Sequence, residues 1–369
     1  MKQVKPIFLS VILLISVTAV YSLNIEKIKT LSGNEITPAE LDGYLTVHMD
    51  SLNVKGISIA VINDGKIVYH RAIGKAGIAN ACSVNEVNDQ TLFQAASISK
   101  PIFACFVMRM VDKGLLDLDT PLYKYYPYTD IEDDPRYKLI TARMVLCHKT
   151  GFPNWRPNNT GKLKLEFTPG TKFLYSGEGY MYLAKVIAHL TNTSLANLDS
   201  VFGKEVCKPL NIKHACFGLN GYVIKHLARG YFDDRIHEDI DFSMNFNSAG
   251  GLCTEAKSFA NFLIALMNDR GLSKGSMDEL LKAQVQIPAD DNLRAIQGVN
   301  EYSLGFDRKM SSCGLNYTHG GSNWGFSSYF MFNKEKKFGF VFFTNSNSCD
   351  NPQCPELWQK LEPFLINGE

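Results

Sequence analysis

The sequence predicts an α+β fold: an antiparallel sheet flanked by helices, with a mostly helical subdomain formed by the middle of the chain. Two observations predict it. Strand-like apolar runs lie near both ends of the 369 residues with helical patterns between them, and an amphipathic helix sits outside the strands at each end. Strands at both ends can pair into one sheet, the terminal helices can cover one of its faces, and a cleft is expected at the seam with the helical part.

Taken in order, Pro38–Leu52 has the period of a short amphipathic helix. Gly56–Asn63 reads as a strand, Asp64-Gly65 as a tight turn and Lys66–His70 as the antiparallel partner. An apolar helix runs from Ser97 to Lys113 and stops at Gly114. Helices are expected at Gly179–Thr191 and Lys257–Asn268. Ser327–Asn333 and Phe338–Thr344 read as two further strands joined by a turn at Lys334–Lys337, and Pro355–Leu365 as a final helix. The acidic stretch Asp130–Asp134 reads as a solvated loop, and Trp155 and Trp324 as packing anchors in preference to residues lining the cleft.

Residues 1–22 have the anatomy of a secretory signal peptide. Lys2 and Lys5 precede an apolar run from Ile7 to Val20, and Val20 and Ser22 fit a cleavage site. A secreted or periplasmic location is expected, with no membrane span once the leader is removed. Residues 23–369 then form a single domain, with a sheet subdomain at about 40–100 and 300–365 and a helical one at about 101–299. The 38 basic and 37 acidic side chains leave no basic patch for nucleic acid, and 45% hydrophobic residues exclude a disordered chain. Nine cysteines leave at least one thiol unpaired in a monomer. Cys207 with Cys216, and Cys349 with Cys354, are near enough in sequence to bridge, whereas Cys105 and Cys253 read as buried free thiols. No Cys or His pair has zinc-ligand spacing, so neither a metal nor another cofactor is indicated.

Three motifs carry chemistry. Ser97-Ile98-Ser99-Lys100 opens a helix, where positions i and i+3 share a face, so Lys100 reaches the Ser97 hydroxyl. A serine is a poor nucleophile without a base, and a desolvated lysine can serve as one. Tyr175-Ser176-Gly177 places a phenol where it can pass a proton between nucleophile and leaving group. His319-Gly320-Gly321-Ser322 precedes the C-terminal strands, and its glycines allow a strand edge to approach a ligand with backbone N–H groups aimed at an oxyanion.

In this order the motifs resemble the signature of the penicillin-recognising serine hydrolases, in the branch of class C β-lactamases, D,D-carboxypeptidases, D-aminopeptidases and family VIII esterases. Leu115–Pro121, Met144–Trp155, Ser248–Thr254 and Trp324–Ser328 agree with it, and the resemblance covers about residues 40 to 350. It implies a β-lactamase/transpeptidase-like fold. Ser97 would be the acylated nucleophile, Lys100 and Tyr175 would share acid/base work, and the N–H groups of Ser97 and Ser322 would form the oxyanion hole. His319 stands where many relatives carry Lys. Near neutrality it titrates, so substrates bearing a carboxylate are expected to lose affinity as pH rises through its pKa.

One departure bears on substrate. The second motif in β-lactamases is Tyr-x-Asn, whose Asn binds the acyl amide, and here Gly177 replaces it. The expected function is an exported serine hydrolase acting through an acyl-enzyme on an ester, a D-amino-acid amide or a small peptide, with weak β-lactam hydrolysis. Gly177→Asn is expected to raise β-lactam acylation. The alternatives are a β-lactamase or D,D-carboxypeptidase, or a non-catalytic protein that binds peptidoglycan. Gly177, Gly320 and Gly321 are the expected substrate-binding positions.

Overall fold

The computed structural model describes residues 27–80, 83–157, 161–232, 234–236, 245–346 and 356–368. The expected signal peptide, Cys82 and the Cys349–Cys354 pair lie outside the described residues.

Among the described residues, nine strands form one antiparallel sheet: β1 (Gly56–Asn63), β2 (Lys66–Asn80), β3 (Ser83–Glu86), β4 (Val285–Gln286), β5 (Glu301–Tyr302), β6 (Asp307–Ser311), β7 (Gly314–Asn323), β8 (Phe326–Asn333) and β9 (Phe338–Thr344). Their order is β4-β5-β6-β7-β8-β9-β1-β2-β3. The N-terminal hairpin therefore joins the C-terminal strands through the β9–β1 pairing, with Val341 opposite Ala60 and Phe342 opposite Ile59. The apolar alternation in the sequence marks β2 only as far as His70 and does not mark β3 to β7. Gly74 and Gly77 interrupt the apolar pattern of β2, while β6 and β7 are polar or glycine-rich and owe their conformation to strands on both sides.

Alternation along the central strands sends side chains to two cores. Ile57, Ile59 and Val61 of β1 join Phe340 and Phe342 of β9 on one face, beneath helices α1 (Pro38–Ser51) and α5 (Leu357–Asn367). Those helices contribute Leu41, Leu45, Leu361 and Leu365, and Tyr44 stacks on Phe364 with centroids 3.9 Å apart. A capping box starts α1: the Thr37 hydroxyl accepts the Glu40 N–H, and the Glu40 carboxylate accepts the Thr37 N–H. On the other face, Ala60, Ile62, Val341 and Phe343 meet a larger core that includes α2 (Ser99–Asp112), α3 (Gly177–Leu190) and α4 (Ala256–Met267). There Phe259 of α4 packs on Phe330 and Phe343.

Cys207 and Cys216 do not bridge; both are free thiols, and Cys216 lies in register opposite Cys253 in a separate small sheet. No helix among the described residues is long and apolar enough to cross a membrane.

Candidate active site

The segment before α2 is a single 3-10 turn, Ala96–Ile98, so the α-helix begins two residues later than the sequence suggested. Ala96 has φ 48°, a left-handed conformation that costs a non-glycine residue about 1 kcal/mol or more. The surrounding bonds hold it there. The Ala95 N–H donates to Leu252 O and the Ser328 hydroxyl to Ala95 O, while the Ser99 hydroxyl donates to Ala96 O and accepts the Leu252 N–H. A strained, over-determined turn thus presents Ser97 at the edge of the sheet.

Lys100 lies one turn further on, with Nζ 3.2 Å from Ser97 Oγ and 2.8 Å from Ala249 O. The same Nζ sits 4.5 Å from the centroid of the Tyr175 ring and 5.6 Å from that of Tyr180. Lys100 is only 1% exposed. Burial pushes its pKa down to about 7, against the opposing pull of Asp307. Asp307 on β6 is buried as well, neither carboxylate oxygen has a hydrogen-bond partner among the described residues, and desolvation lifts its pKa to about 8. Burial also raises the Tyr175 phenol, and a hydrogen bond with Ser97 works against that rise. Tyr175 therefore keeps its proton while Lys100 exchanges its own near neutrality.

Ser176, the middle residue of the second motif, is the N-cap of α3. Its hydroxyl accepts the Gly179 N–H at 3.1 Å and donates to Pro153 O. That cap fixes Tyr175 just outside the helix and Gly177 at its first turn.

His319 lies inside β7, not before the strands, and only 3% of it is exposed. It ends a chain of hydrogen bonds the sequence did not reveal. The Ser176 N–H donates to Nδ1 of His148, so the proton of that ring is on Nε2, 3.2 Å from the Tyr302 hydroxyl. The Tyr302 oxygen is 3.3 Å from Nε2 of His319, and Nδ1 of His319 is 2.6 Å from Gly320 O. A carbonyl only accepts, so His319 carries its proton on Nδ1 and receives the Tyr302 O–H at Nε2. Every ring in the chain is neutral. Burial and the nearby Lys100 push the His319 pKa down to about 3, and burial drives His148 well below its ordinary value. The expectation that His319 titrates near neutrality is thereby corrected.

The glycines divide in their reasons. A Cβ on Gly321 would come within 2.5 Å of Ala95 O and 3.1 Å of the Ser97 backbone nitrogen, so only glycine lets β7 lie against the Ser97 turn. Gly320 has room for a side chain. Ser322 follows on the exposed end of β7, in register with Ser327. At Gly177 a Cβ would stand 2.9 Å from Asn154 O and 2.9 Å from the Trp155 ring. The indole occupies the space of the missing side chain.

The Glu178 carboxylate is held in an ion pair with Arg156. Arg156 donates to it from its backbone N–H and its guanidinium, and also reaches Tyr128 and Asp130. Asp130 is therefore a structural anchor within the supposedly solvated acidic stretch. Trp155 is 42% exposed and Trp324 60%, which removes both from the role of buried packing anchors. Among the described residues no group of three or more His, Cys, Asp or Glu side chains could hold a metal ion.

The profile of the Beta-lactamase family matches residues 41–360. Protein flp of Staphylococcus aureus (strain MW2) is 20% identical over an alignment 347 residues long that covers 89% of this chain and 66% of that protein. This chain thus spans slightly less than two thirds of that relative. The octameric penicillin-binding protein homologue from Pyrococcus abyssi superposes with a TM-score of 0.72 at 23% identity, over 90% of this chain and 77% of its own. The D-amino acid amidase from Ochrobactrum anthropi SV3 superposes with a TM-score of 0.69 at 21% identity, over 89% and 94%.

Proposed function

The chain belongs to the β-lactamase family, and from that premise we propose that it is a serine hydrolase working through an acyl-enzyme on Ser97. The observation that carries the reading is the 3.2 Å contact between Ser97 Oγ and a buried Lys100 whose pKa is brought down to about 7. At pH 7 an ordinary lysine is neutral in about one molecule in 3,000, and burial moves Lys100 strongly toward that neutral, basic form.

Neutral Lys100 takes the proton of Ser97 as Oγ bonds to the substrate carbonyl carbon. The resulting oxyanion lies against the backbone N–H groups of Ser97 and Ser322. Tyr175 gives its proton to the departing oxygen or nitrogen and is reprotonated by Lys100, so the bond to the leaving group breaks without a free anion. Water then attacks the ester on Ser97 and releases the acid. His148 and Tyr302 are positioning residues: they hold His319 neutral and aligned, and β7 with it.

The substrate class is an ester, a D-amino-acid amide or a small peptide, met outside the cytoplasm if residues 1–22 are removed as a signal peptide. Efficient β-lactam turnover is not favoured, because Gly177 has no side chain to bind the acyl amide and the Trp155 ring lies 2.9 Å from where its Cβ would be. A screen of short p-nitrophenyl esters, D-alanyl peptides and nitrocefin tests the reading. Turnover of the ester or peptide that disappears in Ser97→Ala is expected. No turnover of any of them, or turnover that survives Ser97→Ala, would refute it.

A further inference from the structure

We infer that Trp155 determines the acyl specificity of this site, offering an aromatic wall that selects acyl groups carrying a flat apolar ring. The inference rests on the hydrolase reading above and names its substrate class.

Gly177 is two residues from Tyr175, whose ring lies beneath Lys100 Nζ. The edge of the indole, Cζ2 and Cη2, lies 2.9 Å from where a Cβ of residue 177 would be. The wall beside Tyr175 is thus hydrocarbon, with no hydrogen-bonding side chain from 177 to meet an amide. The ring is also 42% exposed, so much of its surface remains available to a ligand.

That exposure is not a loose end. Asn154 O accepts the N–H groups of both Gly177 and Glu178, at 3.0 and 3.1 Å, and Asn154 Oδ1 accepts the Gly177 N–H as well. On the other side of the tryptophan, the Arg156 guanidinium forms two bonds to Glu178, at 2.9 and 2.8 Å, and a third to Asp130 at 3.0 Å. Glu178 is 5% exposed. Charges withdrawn from water in this way stabilise little by themselves, but they fix geometry. Both neighbours of Trp155 are tied to the start of α3, so a ligand meets a ring whose backbone is already ordered, and binding forfeits little entropy. A large flat aromatic surface of this kind favours another ring in offset or edge contact.

The test compares p-nitrophenyl acetate with p-nitrophenyl phenylacetate, which share a leaving group and differ in the acyl ring. Wild type should prefer phenylacetate in kcat/KM by tenfold or more, on the order of what an added apolar group gains in a fitted pocket. In Trp155→Ala that preference should fall about tenfold, mainly through KM, and Trp155→Phe should retain most of it. Thermal unfolding of each variant shows whether the fold is kept. A phenylacetate-to-acetate ratio within twofold of wild type in folded Trp155→Ala would overturn the inference while leaving the hydrolase reading intact. Wild-type protein that hydrolyses neither ester nor D-alanyl peptides would refute that reading, and this inference with it.

Discussion

Gly177→Ala places one methyl group where the structure leaves none room. The new Cβ would lie 2.9 Å from Asn154 O and 2.9 Å from the Trp155 ring, closer than real Cβ contacts come. The carbonyl cannot retreat easily, since it accepts hydrogen bonds from both residue 177 and Glu178. The indole is the softer neighbour because it is half-exposed, so it should swing outward. Overpacking of this size destabilises by roughly 1–3 kcal/mol, equivalent in a chain of this length to a fall of roughly 1–4 °C in the unfolding midpoint. Circular dichroism gives the midpoint, and tryptophan emission reports the displaced ring. An unchanged midpoint with unchanged emission would refute the packing argument. The same crowding bears on Gly177→Asn. Its Cβ would press on the same indole edge, so any rise in β-lactam acylation is expected to be larger in Gly177→Asn/Trp155→Ala than in Gly177→Asn alone.

Two further outcomes concern pH. Lys100 acts as a base only when neutral, so kcat/KM for a neutral ester should rise as pH increases through about 7 and level off above. A profile flat from pH 5 to 9 would contradict the depressed lysine. His319, held to about 3, stays neutral over that range, so a carboxylate-bearing substrate and its neutral ester should show parallel profiles between pH 5 and 8. A loss confined to the acid would return His319 to the role of a titrating cation.

The parts of the site legible in the sequence were local or motif-borne. Ser97 and Lys100 are one helical turn apart, so spacing alone brings them together, and the β1 and β9 strands are mostly apolar and buried along their length. The His148–Tyr302–His319 chain joins residues 154 and 17 positions apart, and it exists only once β5 and β7 are in register on either side of β6. Neither strand announces itself: β5 is two residues long, and β7 is rich in glycine and polar residues. Trp155 was misread for a similar reason. Its exposure follows from the Arg156–Glu178 pair and the Asn154 carbonyl, contacts across 22 residues and more that no period encodes.

The central claim is that Ser97 is a nucleophile activated by Lys100. Its most direct measurement is mass spectrometry of the protein after reaction with a fluorophosphonate, followed by peptide mapping. A single adduct is expected on the peptide containing Ser97, formed faster above pH 7 than below it and absent from Ser97→Ala. An adduct on another residue, or none on wild-type protein, would contradict it.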